Sequence, residues 1–157
     1  MRELVQVDAP ELAGEAQQMA TQLVNQICEH RVGQGRVNQI FGIVSGGETV
    51  VSMDSTNAGR GGRSQELALA FAYHMQKAGE KAPANWVVLA AGTDGRDGPT
   101  DAAGGIFTSN QIFDLGEATD ALQRHDSYHF LSAQNSLVKT GATGTNLADL
   151  VLIVWSG

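Results

Sequence analysis

Residues 86–105 read WVVLAAGTDGRDGPTDAAGG, a continuous apolar run followed directly by a loop of glycines and aspartates. The apolar run Trp86–Ala91 predicts a central strand that is covered on both faces. In open α/β sheets, ligands bind outside the carboxyl ends of the strands. Loop 92–105 therefore lies where such sheets bind ligands, and we expect the rest of the fold to be arranged around its strand.

Apolar runs and helical patterns alternate on both sides of this stretch. That alternation predicts an α/β layered domain with a mixed, mostly parallel β-sheet flanked by helices. The run 39–45, the turn Gly46-Gly47 and residues 48–53 predict an antiparallel hairpin. The other predicted elements are helices over Pro10–Arg31, Arg63–Lys77 and 109–132 (broken near Gly116 and His125), and strands over Ile106–Phe107, Leu137–Lys139 and Leu150–Trp155.

Composition narrows the classes of function. The chain has 157 residues and a formal net charge of −7, which disfavours binding to nucleic acid and to anionic membranes. No apolar stretch approaches the length of a membrane span, and the amino terminus lacks the apolar core of a signal peptide. The single cysteine, Cys28, excludes an internal disulfide and fits a reducing compartment, so we expect a cytoplasmic location.

The first of three glycine-rich loops is Gly59-Arg60-Gly61-Gly62-Arg63-Ser64, at the start of a predicted buried helix. A helix amino terminus offers free N–H groups to an anion, and glycines let a ligand approach the backbone. Two arginines there oppose the helix dipole, which makes sense if an anion lies between them. The alternative is that Arg63 pairs with an internal acid such as Glu48, Glu66 or one from the next loop.

For each of the other two loops, the sequence is compatible with two roles. Asp94, Asp97 and Asp101 of loop 92–105 offer the oxygen ligands that Mg²⁺ prefers, or they cap turns and helices. The loop Thr140–Asn146 places hydroxyl side chains between glycines, where they bind phosphate or carboxylate or close a tight turn. For His125 and His129 we expect surface or packing roles.

Five segments resemble, in content and in order, class II glycerate 2-kinases, some members of which have been labelled hydroxypyruvate reductases. The resemblance covers nearly the whole chain and is to the carboxyl-terminal domain of those enzymes, the MOFRL domain. The segments are GGETVV (46–51), GRGGRSQELALA (59–70), AAGTDGRDGPTDAAGG (90–105), HDSYHFL (125–131) and TGATGTNLADL (140–150).

The resemblance implies an enzyme of two α/β domains that uses ATP and Mg²⁺ to phosphorylate the 2-hydroxyl of D-glycerate in a cleft between the domains. It implies catalytic roles for Arg63 and Asp94, and metal ligation by Asp94, Asp97 and Asp101. The implied substrate- and phosphate-binding residues are Arg60, Gly61, Gly62, Ser64, Thr93, Thr143, Gly144, Thr145 and Asn146.

The chain also departs from the family pattern. Ser64 and His125 each stand where asparagine is common, and Ala142 stands where proline is common. We divide the chain into a connecting helix packed on the domain (1–33) and the MOFRL-like domain (34–157), with the catalytic amino-terminal domain absent.

Two functions remain open from the sequence. In the first, the chain supplies one wall of a kinase site, needs a separate amino-terminal domain and is inactive alone. In the second, it is a standalone, non-catalytic module that binds a small anion or a protein and can self-associate. An NAD(P)H-dependent reductase is disfavoured, because no G-x-G-x-x-G segment follows a strand.

Overall fold

The computed structural model describes residues 3–33, 39–53 and 58–156. Six strands and four helices are the main elements of these residues. The strands are β1 (Glu3–Gln6), β2 (Gln39–Gly47), β3 (Asn85–Gly92), β4 (Gly104–Thr108), β5 (Leu137–Val138) and β6 (Asp149–Ser156); the helices are α1 (Ala16–Gly33), α2 (Arg63–Ala78), α3 (Leu115–Gln123) and α4 (Ser127–Ala133). No helix in the described ranges is long and apolar enough to cross a membrane.

The strands form one mixed sheet in the order β1-β2-β6-β3-β4-β5, which confirms the α/β fold class. The predicted predominance of parallel pairs is wrong, because only β1 and β2 are parallel and the other four pairings are antiparallel. The reason is the path of the chain: β6, the last strand, inserts between β2 and β3 and runs opposite to both. The alternation of strands and helices along a sequence does not predict that the last strand inserts between two earlier ones.

The predicted hairpin over 39–53 is also wrong. Gly46 and Gly47 end β2 in place of turning the chain, and β2 pairs with β6. Residues 48–50 instead run beside the segment before α1, where the Glu48 N–H donates to the Leu12 carbonyl at 2.8 Å. A Cβ on Gly47 would lie 2.3 Å from that same carbonyl oxygen, so the close approach requires glycine. Because Leu12 and Glu15 pair with Gly47 and Val50 in this way, α1 begins at Ala16 and not at Pro10 as predicted.

All four helices contribute to a core on one face of the sheet. Inward-facing side chains of the central strands, such as Ile43, Val88 and Ile153, share one buried core with α2, which is buried nearly all round as predicted. The opposite face carries half-buried and exposed side chains, so the prediction that β3 is covered on both faces is wrong.

Residues 109–132 contain two short helices, α3 and α4, separated at the predicted break near His125. The prediction that residues 109–114 are helical is wrong. His125 has a φ of 52° and lies between α3 and α4. The break predicted near Gly116 does not occur, because Gly116 lies in the first turn of α3. That helix begins after Asp114, whose carboxylate accepts from the Glu117 N–H at 2.9 Å.

The register brings the three glycine-rich loops to one end of the sheet. Gly47 at the end of β2 and Gly92 at the end of β3 both lie opposite Asp149 at the start of β6. The loop after β3, the loop before β6 and the amino terminus of α2 therefore converge at this end. The boundary proposed between residues 33 and 34 adjoins residues 34–38, which lie outside the described residues.

Candidate functional site

A cleft of about 630 Å³ lies at this end of the molecule, on the helix side of the sheet. Its walls come from the segment after β2, the amino-terminal end of α2, the loop after β3 and the turn before α4. The chemically active side chains that line it are Arg63, Glu66, Asp94, Arg96, Asp97 and His125. Segments far apart in sequence thus contribute to one concave surface, which is the usual form of a small-molecule site.

The amino terminus of α2 is occupied by Asp97. Its carboxylate accepts hydrogen bonds from the Ser64 N–H at 3.0 Å and from the Gln65 N–H at 2.8 Å, and the Gln65 side-chain amide donates to it at 3.0 Å. Asp97 is 4% exposed, and burial raises the pKa of its carboxyl group. An internal carboxylate therefore satisfies the donors that the sequence suggested for a bound anion, and the capping interpretation describes Asp97.

Arg63 forms ion pairs with two carboxylates. Its Nε donates to Asp149 Oδ2 at 2.6 Å and its Nη2 to Asp149 Oδ1 at 3.2 Å, while Nη2 lies 2.6 Å from Glu48 Oε1. Partial burial opposes the charged form, but the two carboxylates outweigh it and raise the pKa of Arg63. The pairing with Glu48 was one of the sequence alternatives, whereas Asp149 was missed because nothing in the spacing relates positions 63 and 149.

The structure does not bring the three aspartates together. Asp94 lines the cleft, where its Oδ1 accepts from the Arg96 N–H at 2.9 Å. Asp101 points elsewhere: it accepts from the Tyr128 hydroxyl at 2.7 Å and from Lys139 Nζ at 2.8 Å, and these contacts lower its pKa to about 2. Within residues 3–33, 39–53 and 58–156, no three histidine, cysteine or carboxylate side chains cluster as metal ligands.

The predicted threonines of the second and third loops bind each other. The Thr143 hydroxyl donates to the Thr93 carbonyl, and the Thr93 hydroxyl donates to the Ala148 carbonyl at 2.8 Å. These contacts close the turn before β6. The remaining residues of the turn predicted to bind ligand, Gly144, Thr145 and Asn146, are exposed and do not line the cleft.

Arg60 lies outside the cleft, beside a second and shallower hollow of about 500 Å³. Its guanidinium carbon is 4.5 Å from the centre of the Tyr128 ring, and its Nε donates to the Pro99 carbonyl at 3.3 Å. Of the three predicted neighbours in this loop, Gly61 and Gly62 line the main cleft, whereas Ser64 is buried in α2.

A buried network at the base of the cleft was not predicted from the sequence. Glu66, 1% exposed, accepts from the Gln17 amide at 2.6 Å and lies 2.9 Å from His125 Nδ1. Burial is the main cause of a raised pKa at Glu66, and the contacts from Gln17 and His125 partly offset it. His125, expected to be structural, thus has one ring nitrogen fixed by a carboxylate. One feature of the sequence could have placed Glu66 at the site: it follows Arg63 by three positions and therefore shares its face of the helix.

Comparison with known families identifies this arrangement. The MOFRL family matches residues 41–149, which include every segment that forms the cleft. The chain belongs to the MOFRL family. It is 42% identical over 114 residues to a D-glycerate 2-kinase of Thermotoga maritima, covering 70% of this chain and 26% of that protein. It is 40% identical over 116 residues to a putative hydroxypyruvate reductase of Agrobacterium vitis, covering 71% and 29%.

Two solved structures share the fold of this MOFRL chain. The crystal structure of glycerate kinase from Thermotoga maritima matches with a TM-score of 0.76 and 32% identity, over 99% of this chain and 36% of that one. A protein of Pyrococcus horikoshii matches with a TM-score of 0.74 and 30% identity, over 99% and 34%. The chain therefore spans about a quarter of the curated relatives' length and about a third of the solved chains.

Proposed function

We propose that this chain is the carboxyl-terminal domain of a glycerate 2-kinase and supplies one wall of an interdomain site for ATP-dependent phosphorylation of D-glycerate. The observation that carries the proposal is the cleft itself. The segments that match the MOFRL family build a concave wall around Arg63 and Asp94, and that wall opens to the outside. Because the chain spans only 36% of the solved Thermotoga maritima glycerate kinase chain, we infer that another domain closes the opening.

In this proposal, Arg63 binds an oxyanion of the substrate. Asp149 and Glu48 accept from its Nε and Nη2, and no described residue accepts a hydrogen bond from Nη1. An arginine clamped in this way loses little side-chain entropy when it binds a carboxylate or a phosphoryl group. Its donors then position the anion, which is the main requirement of phosphoryl transfer.

Asp94 is the one predicted metal ligand whose surroundings fit Mg²⁺. Its carboxylate lines the cleft and, among the described residues, accepts one hydrogen bond, from the Arg96 N–H, whereas Asp97 is engaged by α2 and Asp101 by Lys139. Magnesium sites commonly use one or two protein carboxylates together with phosphate oxygens, so Asp94 alone is an adequate contribution from this wall. When bound, the metal ion neutralises charge on the phosphoryl oxygens.

The charge of the wall explains why we expect no activity from this chain alone. Three carboxylates line the cleft beside two arginines, and one of those arginines is already paired with two further acids. A polyphosphate is not attracted to such a surface unless Mg²⁺ and cationic groups of another domain accompany it. ATP with Mg²⁺ is therefore expected to raise the unfolding temperature of the chain more than ATP with a chelator.

Complementation tests the proposed function. The chain is mixed with the amino-terminal domain of the Thermotoga maritima kinase, and ATP consumption that depends on D-glycerate is measured. We expect activity from the mixture and none from either part. The positive control reunites the amino-terminal domain with the carboxyl-terminal domain of the same kinase. Activity in that control but not with this chain would overturn the proposal.

A second candidate, a standalone module that binds a small anion, is favoured by one observation. Arg60 and Arg96 both line the hollow of about 500 Å³ outside the main cleft, where Asp101, the acid beside them, is paired with Lys139. Titration calorimetry with glycerate and with phosphate separates the two candidates. The module predicts binding by the chain alone that Arg60→Met abolishes, whereas the kinase domain predicts that complementation survives Arg60→Met.

A further inference from the structure

The face of the sheet that points away from the helices carries an apolar row across the four strands β2, β6, β3 and β4. The register assigns its residues, because directly opposite partners in neighbouring strands share a face. Val44, Leu152, Leu89 and Ile106 lie opposite one another and form a continuous row across four strands. Ile40 and Val154 extend the patch toward the other end of the strands.

This outer face carries no charge at any outward-facing position of the six described strands. The chain as a whole has 27 charged residues, 10 basic and 17 acidic, and a net charge of −7. Val44 is 56% exposed, and Ile106 and Val154 are each 37% exposed. A contiguous apolar patch of this kind on an otherwise charged protein marks an interaction surface.

The outer face is separate from the proposed kinase site. The cleft is built from the ends of strands and from the amino terminus of α2, which packs on the inner face of the sheet. The cleft lies on the helix side at one end of the sheet, so closing it does not require contact with the outer face.

We propose that a second copy of this chain covers the outer face, so that two sheets pack face to face about a two-fold axis. An uncharged, apolar surface is complementary to itself, as an isologous interface requires. Sheets pack in this way about 10 Å apart in β-sandwiches. Five strands about 4.8 Å apart and about 23 Å long give roughly 550 Å² per copy. The pair therefore covers roughly 1,100 Å², enough to clear the threshold of about 1,000 Å² for a specific interface.

Sedimentation equilibrium of the full chain, measured over a wide range of concentrations, tests this inference. The wild type is expected to approach twice the mass of one chain as concentration rises. Val44→Lys and Ile106→Lys, at opposite ends of the apolar row, are each expected to give a single-chain mass. Ile112→Lys is the matched control, because Ile112 is 76% exposed but lies outside the sheet, and it is expected to remain dimeric.

Two results would overturn the inference: a wild type that stays monomeric at every concentration, or a dimer that survives both lysine substitutions. Far-ultraviolet circular dichroism checks that each variant is folded, and either outward-facing variant suffices if the other fails to fold. A monomeric wild type that binds the amino-terminal domain of the Thermotoga maritima kinase through this face would assign the face to that domain instead. Complementation of kinase activity is measured separately, so failure of the dimer leaves the proposed function standing.

Discussion

Two glycine-rich regions that look alike in sequence use their glycines for different physical reasons. At the amino terminus of α2, Gly62 has an extended backbone, and a Cβ there would lie 2.3 Å from Asp97 Cγ. In the loop before β6, Gly141 has a φ of 68°, and a Cβ would meet nothing within 4 Å. The first region needs glycine for space and the second for conformation, so only the first is a tightly packed site.

Gly62→Ala is the largest predicted effect. The added methyl group forces Asp97 away from α2, combining overpacking with loss of the cap, and we expect a loss of about 3 kcal/mol or more in the free energy of unfolding. Gly141→Ala is the matched control and is expected to cost about 1 kcal/mol, the price of a left-handed backbone for alanine. Urea denaturation measures both. Equal losses would contradict the distinction between space and conformation.

Asp97→Asn comes next, because it keeps the shape of the cap but replaces one acceptor with a donor. The amide then faces the N–H groups of α2 with a hydrogen of its own, and we expect a loss of about 2 kcal/mol. Asp94→Asn is the control: Asp94 also accepts from a backbone N–H, but at a more open position, so we expect about 0.5 kcal/mol or less. Thermal or urea unfolding of the two variants, compared with the wild type, measures the difference.

The sequence predicted those elements of the fold that have a strong local signal. Continuous apolar runs identified β3 and β6, and an almost wholly apolar helix identified α2. The four residues of β1 were missed, because so short a segment has no periodicity to detect and is ordered only by pairing with β2. The insertion of β6 between β2 and β3 was missed because strand pairing is a long-range choice.

The candidate site, like the fold, could be predicted only in part from the sequence. The sequence identified the loops that converge, because glycines and aspartates follow strand ends. It could not decide between capping and metal binding for Asp97, since the deciding contacts come from residues 32 and 33 positions away. Nor could it reveal that Glu66 fixes His125, because those residues lie 59 positions apart.

Arg63→Met tests whether the tightly packed region also depends on charge pairing. The substitution leaves Asp149, 7% exposed, without its partner, but the Arg63 side chain is 36% exposed, which limits the expected loss to about 1–2 kcal/mol. A double-mutant cycle with Asp149→Asn measures the pairing directly: the second substitution should cost less in the Arg63→Met background than in the wild type. Strict additivity would show that the observed hydrogen bonds contribute nothing to stability.

The smallest predicted effect belongs to Asp101, which is exposed and bound to Lys139 near the loop before β6. Hydrogen bonds from Lys139 and Tyr128 lower its pKa to about 2, below the value of about 3.9 for an unfolded chain. An acid with a depressed folded-state pKa contributes stability above its unfolded pKa and loses it as the pH falls toward the folded value. Asp101→Asn should therefore match the wild type most closely near pH 2 and fall slightly below it above pH 4. Unfolding midpoints measured across this range check the sign, and a difference that grows toward low pH would contradict it.

Salt should shrink the difference between Asp101→Asn and the wild type above pH 4, because the Asp101–Lys139 pair is exposed. The buried cap at Asp97 is screened much less, so the salt dependence of the two aspartates separates the open loop from the packed one.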